Sequence, residues 1–299
     1  MLLMHKQKVP YFLLLIASSI LLFSCLPQKK VASTKKDLTT VYSQLQEQNK
    51  TLKSLDEQRL AKQEQNEMDD TSSSRIKKYI NNTTIEIDTL IGNNAFLIGE
   101  SIVNKDDWGR LISTLSNSRM SSKKIGDKIA FLTDLINQNT VVRIDQDVLF
   151  EPGRYVVAPA MANAIAKIFE PAAKEIDLFT KKYPDFPLSL VITAKGYADA
   201  TTISEGSSLY KDLKERLKLS VSNPDGKELN KELSRARAKE VIDLFQKFAA
   251  GRTGGTYLKN VLYLYEGKGE SLPNPKLTDY KVNDPRRRVV YLFWSVFPE

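Results

Sequence analysis

The chain has 299 residues, 41% hydrophobic and 27% charged, with 44 Lys+Arg against 36 Asp+Glu and a formal net charge of +8. That balance excludes collagen, a wholly disordered chain and a polytopic membrane protein, and the length allows one large domain or two modest ones. The sequence holds one Cys and one His, Cys25 and His5. With that leader processed or lipidated, Ser-His-Asp and Cys-His catalysis, His/Cys zinc sites and intramolecular disulfides are all excluded. No paired-carboxylate or nucleophile constellation stands out, so a non-enzymatic role with neither metal nor cofactor is expected.

The N-terminus reads as an address. Lys6 and Lys8 precede an apolar run from Tyr11 to Phe23, shorter than the roughly 18 residues a membrane-spanning helix needs. A basic start, a short apolar stretch and small residues near its end describe a secretory signal, here 1–24. The run ends at Leu22-Phe23-Ser24-Cys25, which resembles the lipobox of bacterial lipoproteins, although Phe23 is larger than the usual residue there. The resemblance implies cleavage before Cys25 and anchoring through acyl chains, a diacylglycerol on its sulfur and an added palmitate-type chain. A plain signal peptide or membrane anchor with an incidental Cys is the other reading. No acidic residue follows Cys25 before Lys30, which resembles sorting to the outer membrane, facing the periplasm. Export argues against a nucleic-acid partner; the basic balance suits anionic headgroups and wall polymers.

Residues 25–36 read as a lipidated tether. From 37 to 70 the composition favours helix, with Leu38, Leu45 and Leu52 seven apart and Val41 and Leu55 on the alternate seam. Gln48, Arg59 and Lys62 interrupt that seam, leaving a helical stalk or a short coiled coil. Thr71-Ser72-Ser73-Ser74 then breaks the pattern. Residues 71–140 read as a mostly helical, poorly defined region. Ile85-Glu86-Ile87 alternates briefly like a strand, and Asp106–Leu115 and Ser121–Ile136 carry helical spacing.

From Val141 strands and helices alternate. Val141–Phe150 reads as a strand, followed by a helix with its stripe at Ile165, Phe169, Ala172, Ile176 and Phe179, kinked or split by Pro171. Leu188–Ala194 is a second strand, Asn230–Ala249 a second helix, and Asn260–Tyr265 and Arg288–Phe297 the last strands. All strand signals lie here, so residues 141–299 are expected to fold without what precedes them.

Five segments in this stretch carry a resemblance. They are Val148-Leu149-Phe150, Gly196-Tyr197-Ala198-Asp199, the run from Asn230 through Leu233, Ser234, Arg237 and Ala238 to Val241, Gly267-Lys268-Gly269-Glu270 with Pro273, and Arg287-Arg288-Val289. Their order resembles the OmpA-like (OmpA/Pal/MotB) peptidoglycan-binding domain family. The implied fold is α+β, a βαβαββ mixed sheet packed with helices, here preceded by a helical N-terminal region. The implied ligand is the peptidoglycan stem peptide, at a diaminopimelate-type residue whose free end is a zwitterion. By resemblance, Asp199 takes its ammonium and Arg237 its carboxylate, while Asn230 and Leu233 line the pocket. Such a ligand calls for a carboxylate and a two-pronged cation a few ångströms apart.

The sequence departs from the family at Ala198, where the family has Thr, and at Thr202, where Gly is frequent. Asp199 and Arg237 also stand 38 positions apart, farther than the family's usual spacing. The extra residues form an insert at about 201–228, with a helix-like Leu209–Leu219 and a turn at Asn223–Gly226, placed to cap the site, narrow it or bind a protein. The Arg286–Arg288 run is equally well explained as a strand start. The function implied is an outer-membrane lipoprotein that anchors the envelope non-covalently to peptidoglycan. The alternative is a scaffold subunit of an envelope-spanning secretion or motility assembly, with envelope proteins as its partners.

Overall fold

A computed structural model describes residues 28–138, 140–218, 220–221, 223–252 and 260–298. The signal segment and the lipidation site expected at Cys25 lie outside the described residues. The chain divides into two compact units, one made of residues up to Ser54 with Ile80–Ala130, the other of Leu55–Tyr79 with Phe131–Glu299. The fold is α+β: a helical N-terminal region precedes a small mixed four-stranded sheet packed with helices.

Three helices open the chain, α1 (Gln28–Glu64), α2 (Asp70–Gly99) and α3 (Lys105–Asn137). In the first unit Lys35 donates to the carbonyl of Ile98 at 2.9 Å, and Asn49 donates to Asp88 at 2.8 Å, so α1 and α2 run antiparallel there. Ser118 donates to Asn94 at 2.7 Å and Lys128 pairs with Glu86 at 2.6 Å, which sets α2 antiparallel to α3. Leu38, Val41, Leu45 and Leu52 are buried. The seam read as a stalk or a short coiled coil is thus buried in this chain. Two further segments are helical. Residues 28–36, read as tether, are helical, and Ile85-Glu86-Ile87, read as a brief strand, lies inside α2. Ile87 is buried while Ile85 is exposed; two apolar residues flanking a polar one fit a helix edge as well as a strand, and the surrounding helical context decides.

The second unit holds β1 (Val141–Asp145), the one-turn α4 (Gln146–Leu149), α5 (Ala162–Lys182), β2 (Leu188–Gly196), α6 (Ser208–Leu217), α7 (Gly226–Ala250), β3 (Asn260–Gly267) and β4 (Val289–Pro298). The sheet order is β1-β4-β2-β3. Strand β4 pairs antiparallel with both β1 and β2, and β2 pairs parallel with β3. The strand expected over Val141–Phe150 stops at Asp145, because the chain turns into α4 there, and α5 is not split at Pro171.

Helix α7 begins where the sequence reads as a turn. Asp225 accepts from the Glu228 amide, and the Glu228 side chain accepts from the Asp225 amide, both at 2.8 Å. Such a reciprocal cap satisfies two of the backbone donors that a helix start leaves open. The aromatic residues of α5 and α7 meet edge-on, with Phe169 and Phe245 rings 5.2 Å apart. Burial of each such side chain contributes about 1.5–3 kcal/mol.

Two glycines let α7 lie directly on the sheet. Gly196 and Gly267 are register partners on β2 and β3. A Cβ at Gly196 would come within 2.1 Å of the Ser234 carbonyl oxygen, and one at Gly267 within 2.3 Å of the Lys231 carbonyl oxygen. No larger residue fits either position without moving the helix. Gly269, at φ +55, completes the turn after β3, and its amide donates to the Ser234 hydroxyl at 2.9 Å.

Candidate functional site

The chain beyond β2 is pinned on both sides. The amide of Tyr197 donates to Val289 O at 2.9 Å, that of Ala198 to Gly269 O at 2.8 Å, and that of Ala200 to Val282 O at 2.8 Å. These bonds fix Asp199 at the end of the sheet beside the first half of α7. The glycine seam brings Asn230, Leu233 and Arg237 to the same place. All four residues singled out in the sequence line one cavity of about 710 Å³.

Neither charged member is surface-facing: Asp199 is 9% exposed and Arg237 7%. Arg237 Nε donates to the Arg154 carbonyl at 3.0 Å, and Nη1 donates to Gln146 Oε1. Its guanidinium lies 5.4 Å from the centre of the Phe150 ring. Among the described residues Arg237 makes no salt bridge. Burial pulls its pKa down to about 10, opposed by the more distant charges of Asp147 and Asp199. The group stays cationic at neutral pH, and its charge is held mainly by neutral dipoles.

Asp199 is occupied from within the chain. Its Oδ1 accepts from the Thr201 amide at 3.1 Å, and its Oδ2 accepts from Arg288 Nη1 at 2.9 Å. Arg288 also reaches Asp147, with Nη2 at 2.7 Å and Nε at 3.1 Å from the carboxylate. The hydrogen bond to Asp147 first, and that to Asp199 with it, hold the Arg288 guanidinium above its ordinary pKa. Three carboxylates (Asp147, Glu151, Asp199) and three arginines (Arg154, Arg237, Arg288) line the cavity. They match in number but not in pairing, since Arg288 takes two acids and Arg237 none.

Asn230 donates to Glu270 at 2.9 Å and to the Thr201 carbonyl at 3.3 Å, so it ties α7 to the turn after β3 and to the Thr201 loop that lines the cavity. Leu233 does two things. It lines the cavity and also packs with Leu213 and Leu229 in a buried cluster beneath α6. The 201–228 insert is thus a wall of the cavity. Thr201, Thr202, Ile203 and Ser204 line it, and α6 turns its Leu213 onto α7.

Sequence reasoning passed over Arg288, Asp147 and Gln146. Arg288 was the last of an Arg run explicable as a strand start, and the other two lay in a stretch read as continuous strand. Gln146 is 1% exposed. Its side-chain Nε2 donates to Tyr197 O at 2.6 Å and Val289 O at 3.1 Å, and its backbone N–H donates to Arg288 O at 3.0 Å. It therefore couples β2 and β4 to Arg237. Gln146 stands between Asp145 and Asp147, so nothing in the local sequence marks it as the buried member of that polar run. Among the described residues no group of three or more His, Cys, Asp or Glu could hold a metal ion, and no helix is long and apolar enough to cross a membrane.

No protein-family model and no curated protein matches the chain. Two solved structures of the periplasmic domain of Helicobacter pylori MotB are similar to part of it. One, of residues 78–256, is 15% identical over 53% of this chain and 78% of that one, with a TM-score of 0.29. The other, of residues 97–256, is 17% identical over 52% and 78%, with a TM-score of 0.27. The α+β assignment rests on the strand order, register and helix packing described above.

Proposed function

We propose that this chain is a non-enzymatic lipoprotein, anchored through acyl chains at Cys25 in the outer membrane and facing the periplasm. It holds the cell wall by binding the peptidoglycan stem peptide in the cavity formed by Asp199, Asn230, Leu233 and Arg237. The observation that carries this reading is Arg237, a buried cation with no carboxylate partner among the described residues, in the cavity that also holds Asp199. A buried guanidinium held only by neutral groups gains most from a ligand carboxylate, which supplies the missing countercharge at hydrogen-bonding distance. The hydroxyl-rich wall at Thr201, Thr202 and Ser204 offers further partners to a peptide.

The test is calorimetric titration of the full-length chain with a muropeptide that carries a free diaminopimelate-type end. Charge-assisted hydrogen bonds contribute about 1.5–3 kcal/mol each, so Arg237→Ala should weaken binding by roughly tenfold to a hundredfold. Both Asp199 and Arg237 are buried, so melting temperatures are taken alongside to separate a lost contact from a loosened fold. Unchanged affinity in folded Arg237→Ala and Asp199→Ala variants would remove the wall-binding reading.

A further inference from the structure

The two charged ends of the cavity differ in what they have left to offer. Asp199 already accepts from the Thr201 amide and from the Arg288 guanidinium, whereas Arg237 has Nη2 free of any protein partner among the described residues. Resting on the wall-binding reading, we infer that Arg288 is a specificity-determining residue: it acts as a built-in cation at Asp199, so the cavity selects its ligand by carboxylate and gains little from an ammonium beside it.

The physical argument begins with the position of Arg288. It directly precedes β4, and its carbonyl accepts from the Gln146 amide at 3.0 Å, which holds its backbone in place. Two carboxylates grip its head, Asp147 at 2.7 Å and Asp199 at 2.9 Å. Its side chain is 29% exposed, and that of Asp199 12%. An incoming ammonium has two courses. It can displace Arg288 from Asp199, which breaks one charge-assisted bond to make another. Otherwise it can use the remaining lone pairs of the carboxylate, which sets a second cation beside the guanidinium in a partly desolvated space. Neither course yields the full gain of an ion pair with a free carboxylate. An incoming carboxylate at Arg237 meets no such competitor, since Arg237 is held by Gln146, the Arg154 carbonyl and the Phe150 ring.

Three peptides test this on the full-length chain by calorimetry. They differ only at the end of one side chain: diaminopimelate (ammonium and carboxylate), 2-aminopimelate (carboxylate alone) and lysine (ammonium alone). The expected order has the carboxylate-only peptide within about threefold of the zwitterion. The lysine peptide should be weaker by about tenfold or more, the scale of one charge-assisted bond. In Arg288→Gln, which frees Asp199, the amine should become worth about tenfold in affinity. A wild-type preference of tenfold or more for the zwitterion over the carboxylate-only peptide overturns the inference and leaves the wall-binding reading standing. Failure of all three to bind removes that reading and the inference with it. The wild-type series needs no variant to fold, so it decides the matter if Arg288→Gln is unstable.

Discussion

The sheet is closed on its two faces by different means. Against one face α7 lies backbone to backbone, at Gly196 and Gly267, with Leu190, Ile192 and Trp294 filling the space beside the contact. Against the other face the cover is made of side chains from the start of α2. Lys195 pairs with Asp70 at 2.9 Å, Thr193 reaches Asp69 at 3.4 Å, and Arg75 sits 5.5 Å from the centre of the Phe297 ring. The first face depends on sterics and tolerates no added atom. The second depends on groups 124 and 125 positions apart in sequence, and it trades polar partners in place of close packing. The face built by contact places the cavity; the face built by pairs makes the sheet depend on residues outside the strand-rich stretch.

The largest effect should come from deleting the second cover altogether. Residues Leu55–Tyr79 and Phe131 onward belong to the same unit as the sheet, so the expectation that residues 141–299 fold alone is put to the test by removing them. Phe131 is fully buried and stacks on Phe186 with centroids 5.2 Å apart, with Phe179 at 5.3 Å. Loss of such a ring costs about 3–5 kcal/mol, a large share of a domain's stability of about 5–15 kcal/mol. A 141–299 fragment should therefore melt broadly, without the cooperative transition of the full chain by circular dichroism. A sharp transition at the full chain's temperature would show that the far cover is dispensable.

A smaller effect is expected at the close-contact face. Gly267→Ala places a methyl against the Lys231 carbonyl and the Arg235 amide, and overpacking of this kind costs about 1–3 kcal/mol. Urea titration should show the lower midpoint. Because the same contact positions α7, muropeptide affinity should fall in the folded fraction as well. A lowered midpoint without loss of affinity would separate the glycine seam from the cavity.

The smallest effect belongs to Asp70. Its hydrogen bond from Lys195 is the main cause of a pKa below the usual carboxylate value. A lowered folded pKa stabilises the fold above the unfolded value of about 3.9, and that stability is lost as pH falls through the folded value. Asp70 is 62% exposed on its side chain, so the pair contributes about 1 kcal/mol or less. Asp70→Asn should flatten the acid limb of a stability-versus-pH curve between about pH 4 and the folded value, and leave neutral-pH stability slightly lower. An unchanged acid limb would mean that Lys195 finds its compensation elsewhere.

These differences follow how information is laid along the chain. The α7 face was legible because each of its parts is a short motif. The Asn230-to-Val241 helix pattern and the Gly196 and Gly267 motifs were carried by the family resemblance, the succession of strands and helices by the hydrophobic pattern, and Asp199, Asn230, Leu233 and Arg237 do line one cavity. The occupation of Asp199 was not legible, because Arg288 and Asp147 lie 89 and 52 positions away and look like ordinary charged residues at strand ends. The far cover was hidden for the same reason. Nothing in Asp69-Asp70-Thr71-Ser72 marks it as the partner of a strand that begins at Leu188. The leucine seam of α1 was read correctly as helix, but a heptad pattern does not say whether its partner is another chain or the next helix along.

Leu233 has one flank in the cavity and the other in the cluster with Leu213 and Leu229. A ligand pressed against it adds to the contacts that hold α6 in place, and loosening of α6 removes support from the ligand. Occupancy and the local opening of α6 are therefore linked through one side chain, and by reciprocity each must change the other by the same free energy. The insert thus reports on the cavity: its amides should exchange with solvent more slowly when the wall is held, although none of them need touch the ligand.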